Sequence, residues 1–144
     1  EFLIAGHAGV LTRSLQKVAS GGELARISLA IAVITAKITP VPTLIFDEVD
    51  SGIGGATAEV VGRLLRQLGS DRQVLCVTHL PQVAACGHHH WRVEKTQRDG
   101  KTQSNLRVLS PDDRVEEVAR MLAGISITDS TKSVAREMLA QPTE

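Results

Sequence analysis

The sequence predicts an α/β protein with a mainly parallel sheet and helices packed against it. Residues 43–46 and 74–78 are two short, almost wholly apolar runs, typical of strands buried on both faces of a parallel sheet. A helical apolar pattern precedes the first run, and a second lies between the two. Strand, helix and strand at this spacing predict a βαβ unit with a right-handed crossover.

Local signals predict the elements before the first apolar run. Residues 1–5 are expected to form a short strand and residues 6–13 a loop. A long helix is predicted after Gly21-Gly22, and the prolines at positions 40 and 42 stop it because proline lacks the backbone donor. The evidence for this helix is an apolar pattern at three- and four-residue steps, formed by Leu24, Ile27, Ile31, Ile34 and Ile38.

The helix between the two strands is predicted to follow a glycine-rich loop at residues 51–55. We expect Gly69 to end this helix in the left-handed conformation that glycine adopts readily. The apolar residues predicted on one side of the helix are Val60, Val61, Leu64, Leu65 and Leu68.

The last third of the chain has a different pattern. Residues 88–95 and 104–109 are predicted strands around a polar turn at residues 98–101. Ser110, followed by Pro111 and an acid at Asp113, predicts a capped helix that runs to Gly124. A final helix is predicted from about Asp129 to Ala140. The inward residues should be Val115, Val118, Ala119 and Leu122 in the first helix, and Val134, Ala135, Met138 and Leu139 in the second.

Length and composition limit the classes of function. The 144 residues suit one domain, expected at 1–140, with a flexible tail at 141–144. Sixteen basic and sixteen acidic residues leave no net charge, which gives no electrostatic argument for nucleic acid or a membrane. Two cysteines are too few for a disulfide framework and favour a reducing compartment. The chain opens with Glu1 and no basic leader, so we expect a piece of a longer protein.

The first candidate site element is Ser20-Gly21-Gly22-Glu23, where the long helix begins. Glycines let backbone amides approach a phosphate closely, and a helix start adds partial positive charge. Taken alone, this element is better explained as a serine N-cap after a loop.

The second element is the pair Asp47-Glu48, which follows the first predicted strand. The carboxyl ends of strands are where α/β sheets place their ligands. Neighbouring strand residues point to opposite faces, so the two acids have separate tasks. One carboxylate suits Mg²⁺ coordination and the other suits orienting an attacking water. Taken alone, the pair is explained about equally well as a solvated strand end.

The third and fourth elements are Asp50, in the loop after those acids, and His79, at the end of the next predicted strand. A histidine there can reach a γ-phosphate or the water beside the neighbouring acids. A lone histidine at a strand end usually has no such role. The order and spacing of all four elements are far more specific than any one of them.

In that order and spacing the four elements resemble the signature, Walker B strand, D-loop and switch histidine of the ATP-binding-cassette ATPases. The resemblance implies that Asp47 assists Mg²⁺ and that Glu48 is the catalytic carboxylate. It also implies that Asp50 communicates across a dimer and that His79 is the switch. The residues that would bind the γ-phosphate of ATP held by the opposite subunit are Ser20, Gly21, Gly22 and Glu23.

Residues 17–30, 44–50 and 76–84 are similar to bacterial DNA-repair members of the SMC-like group within this family. The resemblance covers essentially the whole chain and thins after residue 95. It implies the C-terminal lobe of an ATPase head whose N-terminal lobe lies elsewhere in the protein, beyond a long coiled coil. The implied cofactors are ATP and Mg²⁺, and the implied partners are that N-terminal lobe, a second head in an ATP-dependent homodimer, and DNA. The implied location is the bacterial cytoplasm, at the nucleoid.

Two other motifs are rejected. Gly100-Lys101-Thr102 matches the end of a P-loop, but Lys95 stands where the leading glycine is required, and Asp99-Gly100 is a hairpin-turn pair. We therefore expect the P-loop outside this chain, and no ATP turnover by this chain alone. Cys86 and the histidines at 88–90 lack zinc-site spacing, because consecutive strand residues alternate faces.

Two rival functions remain open at this point. The head of another SMC protein or a transporter cassette would keep the chemistry and change its use. A heptad repeat directly before Glu1 would distinguish an SMC-like head from a transporter. A non-catalytic scaffold with the same fold is the second rival, and intact Glu48 and His79 argue against it.

Overall fold

The computed structural model describes residues 3–5, 9–14, 21–38, 41–47, 50, 52–98, 100–124 and 126–140. Ser20, Glu48 and the predicted tail at 141–144 lie outside these ranges. Near the start, β1 (Leu3–Ile4) pairs antiparallel with β2 (Arg13–Ser14). The predicted first strand is therefore present, and Arg13, predicted as loop, belongs to β2.

The centre of the fold is a βαβ unit preceded by a long helix. The helix α1 spans Gly21–Ile38, β3 spans Thr43–Phe46, α2 spans Gly55–Leu68 and β4 spans Gln73–Cys76. Strands β3 and β4 run parallel, with Phe46 opposite Cys76 at their carboxyl ends. Helices α1 and α2 cover one face of this pair, so the predicted α/β class is confirmed. The buried core residues are Val33, Ala36, Phe46, Ala58, Val61, Leu65, Leu68 and Val83.

The prediction that both strands are buried on two faces is wrong for the described chain. Leu44 and Phe46 point into the core, whereas Ile45 is 71% exposed and Val77, just after β4, is 59% exposed. The other face of the sheet has no cover among the described residues. Apolar sequence predicts burial, but it does not identify the partner that provides it.

The helix predicted from the apolar period is confirmed as α1, but three residues of that period lie outside the core. Val33 and Ala36 belong to the buried core that contains Phe46, whereas Ile31, Ile34 and Ile38 are exposed. The larger isoleucines therefore form a second apolar stripe that the described residues leave open.

Helix α2 packs tightly against α3 (Pro81–Cys86), a short helix that the sequence analysis missed. Gly62 is the contact point, since a Cβ atom there would lie 2.8 Å from Cys86 Sγ, 3.0 Å from Cys86 Cβ and 3.2 Å from the Gln82 carbonyl oxygen. The proline at the first helical position of α3 was the available signal. Two predictions for α2 are wrong. Val60, predicted on the apolar side, is exposed, and Gly69, predicted left-handed, is not.

Gly69 has φ −76° and ψ 0°, so the chain leaves α2 through a right-handed turn. Its amide donates to the carbonyls of Leu65 and Arg66, and the amide and hydroxyl of Ser70 both donate to the Gln67 carbonyl. These bonds satisfy the helix end without a left-handed residue, which is why the predicted cap conformation is absent.

The close approach of α2 and α3 gives a stability prediction. We expect Gly62→Ala to lower the free energy of unfolding by about 1–3 kcal/mol, because the added methyl group meets packed atoms. The higher helix propensity of alanine, worth roughly 1 kcal/mol, offsets part of this loss. Cys86→Ala in the same protein should recover part of the stability, since it removes the nearest atom. Urea unfolding of the two single variants and the double variant measures the coupling, and strictly additive effects would contradict the assignment.

Beyond α3 the chain forms an antiparallel hairpin of β5 (Trp91–Arg98) and β6 (Lys101–Val108). The hairpin is confirmed, but its ladder continues to Arg98 opposite Lys101, so the predicted strand bounds of 88–95 and 104–109 are wrong. Gly100 has φ +72°, as a tight two-residue turn requires. Lys101 and Thr102 begin an exposed strand rather than a helix.

The two faces of this hairpin are reversed relative to the usual arrangement of a surface ribbon. The charged face points to the protein, where Arg92 lies 3.2 Å from buried Glu117 and Arg107 lies 3.2 Å from Asp113. The apolar face points outward, in two cross-strand pairs that are each more than half exposed. These pairs are Trp91 with Val108 and Val93 with Leu106.

The chain ends in two helices, α4 (Pro111–Ala123) and α5 (Asp129–Ala140), with the predicted bounds. Ser110 caps α4 as predicted, because its hydroxyl oxygen accepts from the Asp113 amide at 3.2 Å. The pair packs through a second core of Val118, Ala119 and Ala135, but Val134, predicted inward, is exposed. None of the helices in the described ranges is long and apolar enough to span a membrane.

Candidate functional site

The candidate site lies where β3 and β4 end side by side. Because Phe46 is opposite Cys76 and the Val77 amide donates to the Phe46 carbonyl at 2.9 Å, both strands stop at the same sheet edge. Asp47 follows β3 and is exposed, while Thr78 and His79 follow β4. The parallel pair therefore brings the predicted acid and the predicted histidine to one edge.

Asp50 is the one buried acid at this edge among the described residues, with 1% of its surface exposed. Its Oδ2 accepts hydrogen bonds from the backbone amides of His79 (2.8 Å) and Leu80 (3.2 Å) and from the Thr78 hydroxyl. Its Oδ1 is buried and has no hydrogen-bond partner among the described residues. The carboxylate thus holds the turn that follows β4.

The environment of Asp50 keeps the group ionised. Burial raises its pKa, but the hydrogen bonds from the Thr78 hydroxyl and the His79 amide, with the nearby His79 ring, lower the pKa by more. The pKa of Asp50 therefore lies below the ordinary aspartate value, and the buried carboxylate keeps its negative charge at neutral pH. A carboxylate occupied in this way is poorly placed to take a metal ion through Oδ2.

The His79 ring lies on the outer side of this arrangement. Its Nδ1 is 3.2 Å from Asp50 Oδ2, and its side chain is 71% exposed. One edge of the ring therefore contacts a buried carboxylate, and the rest of the ring faces solvent. An imidazole in this position can exchange hydrogen bonds with a ligand at the sheet edge.

Cys76, the last residue of β4, is not a nucleophile in this setting. Burial, with smaller contributions from the charges of Asp50 and Asp47, raises the pKa of its thiol to about 11. The thiol therefore stays protonated at neutral pH, and nucleophilic chemistry needs the thiolate.

The remaining predicted site residues are divided between described and undescribed parts of the chain. Gly21, Gly22 and Glu23 form the first turn of α1, as expected for an element at a helix start. Ser20 and Glu48, the predicted signature serine and catalytic carboxylate, lie outside the described residues. Their roles stay predictions.

Sequence reasoning missed Thr78 and Leu80, which supply two of the donors to Asp50. The available signal was a hydroxyl residue directly after a buried strand and directly before the candidate histidine. A polar side chain at such a strand end needs a partner, and the nearest acid on the neighbouring strand's loop provides it.

The sequence is similar to curated bacterial proteins with a shared name. It is 55% identical over 141 residues to the DNA repair protein RecN of Xylella fastidiosa (strain 9a5c), covering 98% of this chain and 25% of that protein. RecN of Vibrio cholerae is 55% identical over 138 residues, and RecN of Bacillus subtilis (strain 168) is 44% identical over 141 residues. The chain thus spans about a quarter of the length of these relatives. No family model matches it.

Solved structures with the same fold are SMC ATPase heads. One, from work on ATP-driven dimerization and DNA-stimulated activation of SMC ATPases, has a TM-score of 0.63 at 23% identity and covers 80% of this chain and 68% of its own. The Smc head domain with a coiled coil and joint from Pyrococcus yayanosii has a TM-score of 0.58 at 24% identity, over 71% of this chain and 19% of its own. At these identities the likeness concerns the fold alone.

Proposed function

Because the chain belongs to the RecN family of DNA repair proteins, we propose that it forms the C-terminal lobe of an ATPase head that works in DNA double-strand break repair. In this proposal ATP is bound and hydrolysed between two heads. The observation that carries the proposal is the sheet edge where Asp47 follows β3 and Asp50 contacts His79, on a fold shared with SMC ATPase heads.

Each predicted residue has a part in this mechanism. Asp47, exposed at the end of β3, would hold Mg²⁺, which neutralises charge on the phosphates when bound. Glu48 would orient and polarise the attacking water, and His79 would contact the γ-phosphate or that water. Asp50 would link this edge to the opposing head.

The signature element would complete the site from the other subunit. Ser20 and the amides of Gly21, Gly22 and Glu23 would bind the γ-phosphate of ATP held by the opposite head. The start of α1 favours an anion there, because the first amides of a helix have no partner within the helix and the helix dipole is positive at that end.

The proposal also requires a second lobe with the P-loop, which the described residues do not supply. Support comes from the uncovered apolar surfaces, namely the outer sheet face at Ile45 and Val77 and the outer hairpin face at Trp91. Exposed apolar patches of this kind usually mark an interface. About three quarters of the relatives' length is available to cover them.

The comparisons bear on one of the rival functions and leave the other open. Identity of 41–55% to RecN proteins favours a RecN role over a transporter cassette or another SMC head. A non-catalytic scaffold is the remaining alternative. It predicts that the full-length protein binds nucleotide without turning it over.

We expect the full-length protein to hydrolyse MgATP. The isolated 144-residue chain should neither bind MgATP nor hydrolyse it, because the proposal places the P-loop lysine and amides in the other lobe. Calorimetry with MgATP and steady-state phosphate release test the two proteins side by side. Micromolar affinity of the isolated monomeric chain would mean that it holds a nucleotide site of its own. Absence of turnover by the full-length protein, with and without DNA, would favour the scaffold.

A further inference from the structure

The contacts of Asp50 point to a role that deepens the proposed function and rests on it. We infer that Asp50 is a positioning residue for His79: its carboxylate holds the turn after β4 and the Nδ1 edge of the ring, so that Nε2 is presented to the phosphate or the water. This places Asp50 in the same head as the histidine it serves, in addition to any role across a dimer.

The backbone of the turn after β4 is held by Asp50. One oxygen, Asp50 Oδ2, accepts the amides of His79 and Leu80 and the hydroxyl of Thr78. The Thr78 oxygen also accepts from the Leu80 amide at 3.0 Å. Three consecutive residues are therefore bound to a single buried atom, and the histidine backbone cannot shift without it.

The same carboxylate also contacts the imidazole ring of His79. A carboxylate oxygen carries no proton, so a 3.2 Å contact with Nδ1 is attractive only when Nδ1 carries the hydrogen. In the neutral ring this leaves the lone pair on Nε2, since the partner of one nitrogen decides the state of the other. Nε2 can then accept from a water, or donate to a phosphate oxygen once the ring is protonated.

The negative charge of buried Asp50 also needs an explanation. A neutral amide oxygen would accept the same backbone N–H groups without the cost of burying an ionised group. His79 is the partner that a carboxylate serves, because neither carboxylate oxygen carries a hydrogen, whereas an asparagine could turn its N–H₂ group toward Nδ1 and select the other tautomer. Asp50 also lies three residues after Asp47, so the loop that leaves β3 positions the histidine that follows β4.

A double-mutant cycle in the full-length protein tests whether Asp50 acts through His79. We expect Asp50→Asn to lower kcat for ATP hydrolysis roughly 10- to 100-fold, the effect of weakening hydrogen bonds to a charged group, with ATP affinity within about twofold. In the His79→Ala background the same change should cost far less than in the parental protein, and the loss that remains measures the role of Asp50 across the dimer. Independent, multiplicative losses in the two backgrounds would overturn the inference.

Two further variants serve as a control and a replacement in this double-mutant cycle. Asp71→Asn is the matched control, because Asp71 is an exposed aspartate away from the site, and its activity should be unchanged. If Asp50→Asn fails to fold, Thr78→Val replaces it. That change removes one donor to Asp50 with little change of shape, and its loss of kcat should likewise be far smaller in the His79→Ala background.

Imidazole ¹⁵N NMR of the full-length protein tests the ring state without any ATP turnover. The measurement is made at alkaline pH, where histidines are neutral, and His79→Gln identifies the signal. We expect the His79 proton on Nδ1, whereas an unrestrained histidine favours Nε2. A signal from the Nε2–H form would overturn the inference even if ATPase activity is normal. Conversely, an inactive parental protein would remove the proposed function while this measurement still decides the position of the proton.

Discussion

The full-length protein carrying Glu48→Gln is expected to bind ATP normally and to lose turnover by about 100-fold or more, the usual contribution of a positioned general base. The amide keeps the size of the side chain but neither accepts a proton nor polarises water as a carboxylate does. ATP should then persist, and the heads should accumulate as an engaged dimer. Phosphate release, nucleotide binding and size-exclusion chromatography with MgATP measure the three effects.

Lys101→Ala is the control for this experiment. Lys101 is exposed at the start of β6, beyond the hairpin turn. Exposed charges contribute little to function or stability, so activity should stay within about twofold of the parental rate. A loss as large as that of Glu48→Gln would revive residues 100–102 as a nucleotide loop. Parental activity of Glu48→Gln would remove Glu48 from the catalytic role.

Ser20→Arg is expected to abolish turnover for a different reason, because Ser20 should act on the nucleotide of the opposite head. The arginine adds bulk where the two heads meet and blocks the approach of the α1 start to the phosphate. ATP binding by each separate head should stay within about twofold, since the P-loop holds the β- and γ-phosphates. Loss of nucleotide binding by a monomeric head would show instead that the serine acts on its own head's ATP.

Mixing the Ser20→Arg and Glu48→Gln proteins tests the same point directly. A mixed dimer has two composite sites, each with Asp47 and Glu48 from one protomer and Ser20 from the other. One site carries both substitutions, and the second is wholly parental. With random pairing, half of the dimers are mixed, so the rate should recover to roughly a quarter of the parental value if the two sites work independently. No recovery by dimers shown to form would argue against the composite site.

Local signals in the sequence were sufficient for several elements. The cap at Ser110, the bounds of α4 and α5 and the turn at Gly100 depend on residues within a few positions of each other. The same holds for the strand end at Asp47, since an apolar run followed by an acid marks the edge of a buried strand. That Asp47 and His79 follow strands ending at the same sheet edge is what the parallel βαβ unit predicts.

Only the tertiary structure decided which apolar side chains are buried. In α1 the apolar period includes the large isoleucines, yet Val33 and Ala36 lie in the core that contains Phe46. Likewise, Ile45 in β3 and Val134 in α5 are exposed although their patterns predict burial. The spacing of apolar residues in a helix or strand shows which faces are apolar. Which of these faces becomes buried depends on segments that are distant in the sequence.

The site shows the same division. The order and spacing of the motifs, through their resemblance to the ATP-binding-cassette family, predicted Asp47, Asp50 and His79 as site residues, and their roles stay predictions. The direction of the Asp50 carboxylate, toward the amides of His79 and Leu80, depends on how the loop after β3 meets the turn after β4. That contact joins residues about 30 positions apart, so no local pattern encodes it, and only the folded chain brings the charge and the ring together.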